Sequence, residues 1–289
     1  MRTPLFTRRD FVRLGSGAAA ACAAGSRLRA KQTATPIGLQ LFTVRDQLAK
    51  DFPAALAEVR SSGYTVVEAA GFYDRTAADF RRAMDLADLR CVSAHLTLSA
   101  LQTELDRWLD YSHALGLDYI VCSSSDDIHR DPAAKGPKTL DDWRWTASEF
   151  NRVGERVKAA GMTFAAHNHT PEFASLDGVL VYDQLLHLTD PKLVFFELDC
   201  GWVYAAGHNP LDYLRKSPAR FPLLHVKDMV EGANGNVHST ELGRGKIDYA
   251  PILRAATGLK YYFIEQEEFD IDPSQALRAD VDYIRRLGV

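Results

Sequence analysis

The chain has 289 residues, 46% of them hydrophobic and 25% charged, with a formal net charge of -4 and a pI near 6.1. That length and apolar content suit one barrel-sized domain with a large core and exclude a largely disordered chain. The mildly acidic balance gives no overall electrostatic basis for binding nucleic acid or an anionic membrane.

Residues 1–30 carry Thr7-Arg8-Arg9-Asp10-Phe11-Val12-Arg13, followed by a small, mildly apolar run over 14–25. A paired-arginine segment before such a run predicts a twin-arginine export signal, and with it a periplasmic or otherwise exported protein. The run is about half the ~20 residues that a spanning helix needs, so no membrane span is expected. Cys22, after three alanines, is a weak lipid-attachment signal. Cys91, Cys122 and Cys200 have no paired spacing and read as buried small residues.

After a linker over 31–36, residues 37–44 read as a first strand, and Phe52, Leu56 and Val59 mark a helix that Gly63 stops. Strand and helix then alternate. Strands are expected over 65–71, 91–95, 119–123, 163–167, 193–199, 222–227 and 261–265, with helices over 77–86, 100–115, 139–160, 181–188, 210–216, 249–256 and 274–287. A loop is expected over 124–138, and Thr139 with Asp142 forms a capping pattern at the start of the longest helix. This alternation predicts a single (β/α)8 TIM barrel over 37–289. An open doubly wound sheet would need a glycine-rich turn after an early strand, whereas the first strand here leads into Arg45-Asp46.

Several apolar runs end in groups able to bind a metal or move a proton, and a parallel barrel gathers such ends at one point. Glu172, Asp199, His225 and Glu265 follow strands five to eight. Three carboxylates with one imidazole suit Mn²⁺, Mg²⁺ or Co²⁺, or Zn²⁺ with open positions. Without a cation or raised pKa values they would repel one another. Taken singly each has a plainer reading: Asp199 as a turn cap, His225 as a satisfied core histidine, Glu265 as a partner of Lys227. Glu68, His95 and Lys227, at other strand ends, are placed to bind substrate hydroxyls, and Trp202 to stack on a sugar face. Arg244, in a glycine-bounded loop, is only weak evidence for a phosphate site.

The segments Gly38-Leu39-Gln40-Leu41, Ser93-Ala94-His95, His167-Asn168-His169 with Glu172-Phe173, Glu197-Leu198-Asp199, His225-Val226-Lys227-Asp228 and Ile264-Glu265-Gln266 together resemble the xylose-isomerase-like barrel superfamily. The resemblance implies Asp199, His225, Glu265 and a fifth-strand residue as metal ligands. Many relatives have a glutamate where this chain has His167, so either His167 or Glu172 would complete the set, with Glu172 favoured because it restores the usual charge. It implies a sugar or keto-sugar isomerase or epimerase in which Glu265 or His167 moves a proton beside a carbonyl, with His169 among the groups that hold the substrate. A dehydratase or lyase on keto-sugars or keto-glycosides is the alternative within that chemistry, and a noncatalytic sugar-binding protein the alternative outside it. The family's nuclease branch fits poorly with the acidic balance and the export signal.

Overall fold

The computed structural model describes residues 35–125, 137–232 and 235–288. The expected export signal and Cys22 lie outside the described residues, as does most of the expected 124–138 loop. No helix among the described residues is long and apolar enough to cross a membrane.

Eight parallel strands close a barrel: β1 (Ile37–Gln40), β2 (Val66–Ala70), β3 (Arg90–Thr97), β4 (Tyr119–Ser124), β5 (Thr163–His167), β6 (Val194–Asp199), β7 (Leu223–Val226) and β8 (Tyr261–Ile264). Each strand pairs with its neighbours in chain order, and β1 closes the ring on β8. The main helices are α1 (Phe52–Ser62), α2 (Ala77–Leu86), α3 (Leu105–Leu115), α4 (Leu140–Ala159), α5 (Val181–Leu188), α6 (Pro210–Lys216), α7 (Tyr249–Ala255) and α8 (Pro273–Leu287). Thr139 and Asp142 do form a reciprocal capping box at the start of α4.

Because side chains alternate along a strand, one face of each strand fills the barrel and the other packs against the helices. Val66, Val92, Tyr119, Val121, Ala165, Leu223 and Phe263 form a separate apolar cluster inside the ring. Two residues further along the same inward faces come Glu68, His167, His225 and Glu265, so the plug of the barrel becomes the floor of a polar site within one step of the pleat. Register keeps these groups level: His167 lies beside Glu197, Asp199 beside His225, and His225 beside Phe263. Gly38 is required where β1 meets β8, since a Cβ there would lie 2.4 Å from the Tyr262 carbonyl oxygen.

The first strand is shorter than its apolar run predicts. The Gln40 side chain accepts the Phe42 N–H at 3.1 Å and turns Leu41–Val44 into a 3-10 helix. The expected helix over 100–115 is broken at Glu104 into Leu98–Thr103 and α3. Further elements were not expected, among them the short helices Arg45–Lys50 and Cys200–Ala205, the second capped by Asp199, and two hairpins that pair Ser175–Leu176 with Val179–Leu180 and Asp228–Glu231 with Val237–Thr240. Cys91, Cys122 and Cys200 are buried thiols.

Candidate metal centre and its cavity

The inward step along β6, β7 and β8 brings Asp199, His225 and Glu265 together, with one ligand atom from each within 4.8 Å of the others. The His225 Nδ1 faces Glu265 Oε2 at 2.9 Å and Asp199 Oδ2 at 3.6 Å. Asp199 serves two ends at once: its Oδ1 accepts the Trp202 N–H at 2.9 Å and caps the following helix, leaving Oδ2 for the site. That Oδ2 is buried and accepts no well-directed hydrogen bond. The nearby Lys227 Nζ, at 3.2 Å from Asp199, also lies 2.9 Å from Glu265 and 2.6 Å from Glu267. Lys227 is thus the counter-charge for three carboxylates.

A second set of contacts adjoins the first. His225 Nε2 meets Glu68 Oε1 at 2.8 Å and Glu197 Oε2 at 3.1 Å. His95 Nε2 meets the same two carboxylates at 2.9 and 2.8 Å, with its ring stacked 5.3 Å from that of His225. Gln40 Nε2 donates to Glu68 at 2.7 Å and the Ser93 hydroxyl to its other oxygen at 2.5 Å. With Nε2 tied to carboxylates, His225 is oriented to present Nδ1 to Asp199 and Glu265, as carboxylate-backed histidines do in metal sites. His95, His167, Glu197 and His225 form an overlapping grouping of the same compactness.

The electrostatics follow from this packing. Burial alone would depress the His95 imidazole, but Glu68 and Glu197 lift it to about 10. Burial opposes charge on His225 too, yet Glu197 and Glu265 hold it well above its ordinary value. His167 goes the other way: burial pushes it down to about 3 despite its hydrogen bond to Glu197, with the neighbouring imidazoles adding to the fall. Burial works against the Asp199 and Glu265 carboxylates, and Lys227 and His225 nonetheless hold both low.

A cavity of about 950 Å³ opens over the centre, with His95, His167, His169, Glu265 and Glu267 in its lining. Not every residue singled out in the sequence reaches it. Glu68 is fully buried below, in contact with imidazoles. Lys227 is 1% exposed and turned to the carboxylates. The Trp202 ring receives the Lys227 Nζ at 4.7 Å and lies 5.6 Å from His169. Glu172 stands outside both groupings, since its carboxylate accepts the His169 N–H at 2.9 Å and the Ser125 hydroxyl at 3.4 Å. Sequence reasoning assigned no role to Glu197, Glu267 or Gln40. Glu197 and Glu267 stand two residues from Asp199 and Glu265, so the period of two was the available signal.

A family model described as xylose isomerase-like TIM barrel matches residues 56–287. The inosose dehydratase of Clostridium botulinum (strain Alaska E43 / Type E3) is 24% identical over 252 residues, covering 78% of this chain and 84% of the relative. A crystal structure of a sugar phosphate isomerase/epimerase from Parabacteroides distasonis ATCC 8503 superposes with a TM-score of 0.73 at 25% identity, covering 88% of this chain and 95% of the other. The structure of an IOLI protein with a binding zinc atom superposes with a TM-score of 0.66, covering 87% of this chain and 97% of the other; at 13% identity it shows the fold alone.

Proposed function

Because the chain belongs to the xylose isomerase-like TIM barrel family, we propose that it is a divalent-metal-dependent enzyme that removes a proton beside the carbonyl of a sugar and returns an isomer or epimer. The observation that carries this reading is the convergence of Asp199, His225 and Glu265 under an open cavity. The residues fit an ion: the Asp199 Oδ2 is buried without a directed donor, His225 is fixed with Nδ1 toward it, and a carboxylate-rich set with one imidazole suits a hard or borderline dication. The IOLI protein, a neighbour in fold, binds a zinc atom, which is in keeping with a divalent ion here and says nothing of its ligands. Asp199, His225 and Glu265 would hold the ion, which supplies polarisation of a carbonyl or hydroxyl oxygen.

The chain's own groups account for the rest. Glu265, at the cavity floor, takes the proton from the carbon beside the carbonyl. Lys227 keeps that carboxylate ionised and ready, 2.9 Å away. The cationic His95 at the cavity floor favours negative charge developing on the substrate. His167 and His169 line the cavity where they can bind hydroxyls. Export by the twin-arginine route, expected from Arg8 and Arg9, belongs to this proposal and would place the reaction outside the cytoplasm.

Dehydration is the second reading, favoured by the inosose dehydratases among the relatives and by a histidine, not a second carboxylate, at the end of β5. Both reactions begin with the same proton abstraction. Incubating the Mn²⁺-loaded protein with a panel of ketoses and keto-inositols in D₂O tests them together. Deuterium beside the carbonyl supports the shared step, an isomer or epimer supports the first reading, and a product lighter by water supports the second. No exchange in any substrate, with Mn²⁺, Co²⁺, Mg²⁺ or Zn²⁺ present, would overturn both.

A further inference from the structure

Proton abstraction at Glu265 uses one part of the cavity; another part has a different character. The loop over 71–76 that follows β2, together with α3, contributes Phe72, Tyr73, Trp108 and Tyr111 to the lining. Phe72 stacks with Trp108 at 5.7 Å and 25°, and its ring centre lies 4.3 Å from that of Tyr111. The Tyr111 hydroxyl donates to the Arg75 carbonyl at 2.8 Å, which fixes the ring against the loop. Tyr73 and Asp74 both hold left-handed backbone, with φ of 52° and 54°. Two successive non-glycine residues in that region carry strain, and such strain gathers where a loop is shaped for a ligand.

Size points the same way. Pockets of about 300–1,000 Å³ enclose drug-sized ligands, and this one, at about 950 Å³, is at the upper end. One sugar ring at Glu265 and His167 would leave the aromatic wall uncovered. Two cations, Arg75 and Arg107, also line the cavity, so a phosphate is the competing occupant that the test includes. Arg107 lies over the Trp108 ring at 4.7 Å and Arg75 over Phe52 at 4.2 Å, so both guanidinium groups are stacked on aromatic faces.

We infer that the wall formed by Phe72, Tyr73, Trp108 and Tyr111 is a subsite for a second ring, so that the substrate is a glycoside with a ketone on its reacting sugar ring, whose aglycone, aromatic or sugar, lies against the wall. The inference rests on the reading that the reacting sugar sits at Glu265.

The test is calorimetric binding to the Mn²⁺-loaded protein of methyl and phenyl glycosides of glucose, galactose and xylose, each also in ring-oxidised keto form, with cellobiose, lactose and glucose 6-phosphate. Phenyl glycosides or disaccharides should bind about tenfold more tightly than the matching methyl glycosides. Trp108→Ala should remove that ratio, and Trp108→Phe should keep most of it, with circular dichroism confirming that both variants fold. Whether phenyl or sugar aglycones gain more identifies the ring. Equal binding of methyl and two-ring glycosides, strongest binding of the sugar phosphate, no binding of any glycoside, or a ratio unchanged in Trp108→Ala would each overturn the inference. Failure of the proposed reaction reads out separately, as absent deuterium exchange with the two-ring preference intact.

Discussion

Replacing Lys227 with methionine tests how the centre balances its charge. Lys227 is 1% exposed, and its ammonium is shared by Asp199, Glu265 and Glu267 at 3.2, 2.9 and 2.6 Å. Methionine keeps most of the side-chain volume and removes the charge, leaving buried carboxylates without their counter-ion. Removing one partner of a buried ion pair costs about 3–5 kcal/mol. For a domain of this size each kcal/mol moves the Tm by about 2–4 °C, so the metal-free variant should melt on the order of 10 °C below wild type. A bound dication would replace the lost charge, so saturating Mn²⁺ should stabilise Lys227→Met more than wild type and close at least half of the gap. Thermal unfolding followed by circular dichroism, in EDTA and in Mn²⁺, measures both quantities. A metal-free variant within about 2 °C of wild type would refute the charge argument. A deficit of the same size with and without metal would refute the claim that ion and ammonium compensate the same carboxylates.

Three further outcomes follow from other parts of the molecule. Burial, with Glu241 and Asp228 close by, lifts Asp280 to about 7, while its Oδ1 accepts the Leu242 N–H at 2.7 Å. The folded chain therefore holds a proton that the unfolded chain has lost between about pH 4 and 7, so stability falls as pH rises through that window, by at most about 4 kcal/mol; Asp280→Asn should flatten the dependence in urea unfolding, and an unchanged slope would exclude Asp280 as its source. An alanine Cβ at Gly201 would lie 2.8 Å from the Lys227 carbonyl oxygen and 2.9 Å from its Cγ. Gly201→Ala should cost about 1–3 kcal/mol and lower turnover by displacing Lys227, and a variant equal to wild type in both would show that the helix can shift freely. Glu172→Gln keeps an amide oxygen for the His169 N–H and offers its NH₂ to the Ser125 hydroxyl, which can accept, so elemental analysis should find its metal content unchanged; loss of the ion would show that the carboxylate itself is a ligand.

The barrel was legible because its strands announce themselves twice, by apolar runs and by the polar residues that end them. His225 following Leu223 and Leu224 at the end of β7, and Glu265 following Phe263 and Ile264 at the end of β8, mark both the element and the face. The same period of two pointed at Glu197, but a glutamate inside an apolar strand acquires a meaning only when its partners are known, here His95, His167 and His225. What the sequence hid is tertiary. The hairpin after Lys227 depends on the Asp228 carboxylate, which accepts the N–H groups of Met229, Gly243, Gly245 and Ile247, three of them from a distant loop. The spacing of Glu172 after His167 says nothing of direction, and the 3-10 turn Pro171–Phe173 directs its carboxylate to the His169 N–H and the Ser125 hydroxyl. Asp199 shows that plain and functional readings need not compete, since one oxygen caps a helix while the other is left for an ion.

The centre is defined by the ion it would hold. Elemental analysis of the purified protein after incubation with Mn²⁺ and gel filtration, beside Asp199→Asn and His225→Ala variants shown to be folded, should find about one divalent ion per wild-type chain and little in either variant. Wild-type protein that stays empty with Mn²⁺, Co²⁺, Mg²⁺ and Zn²⁺ alike, or variants that retain the ion fully, would contradict the assignment of Asp199, His225 and Glu265 as its ligands.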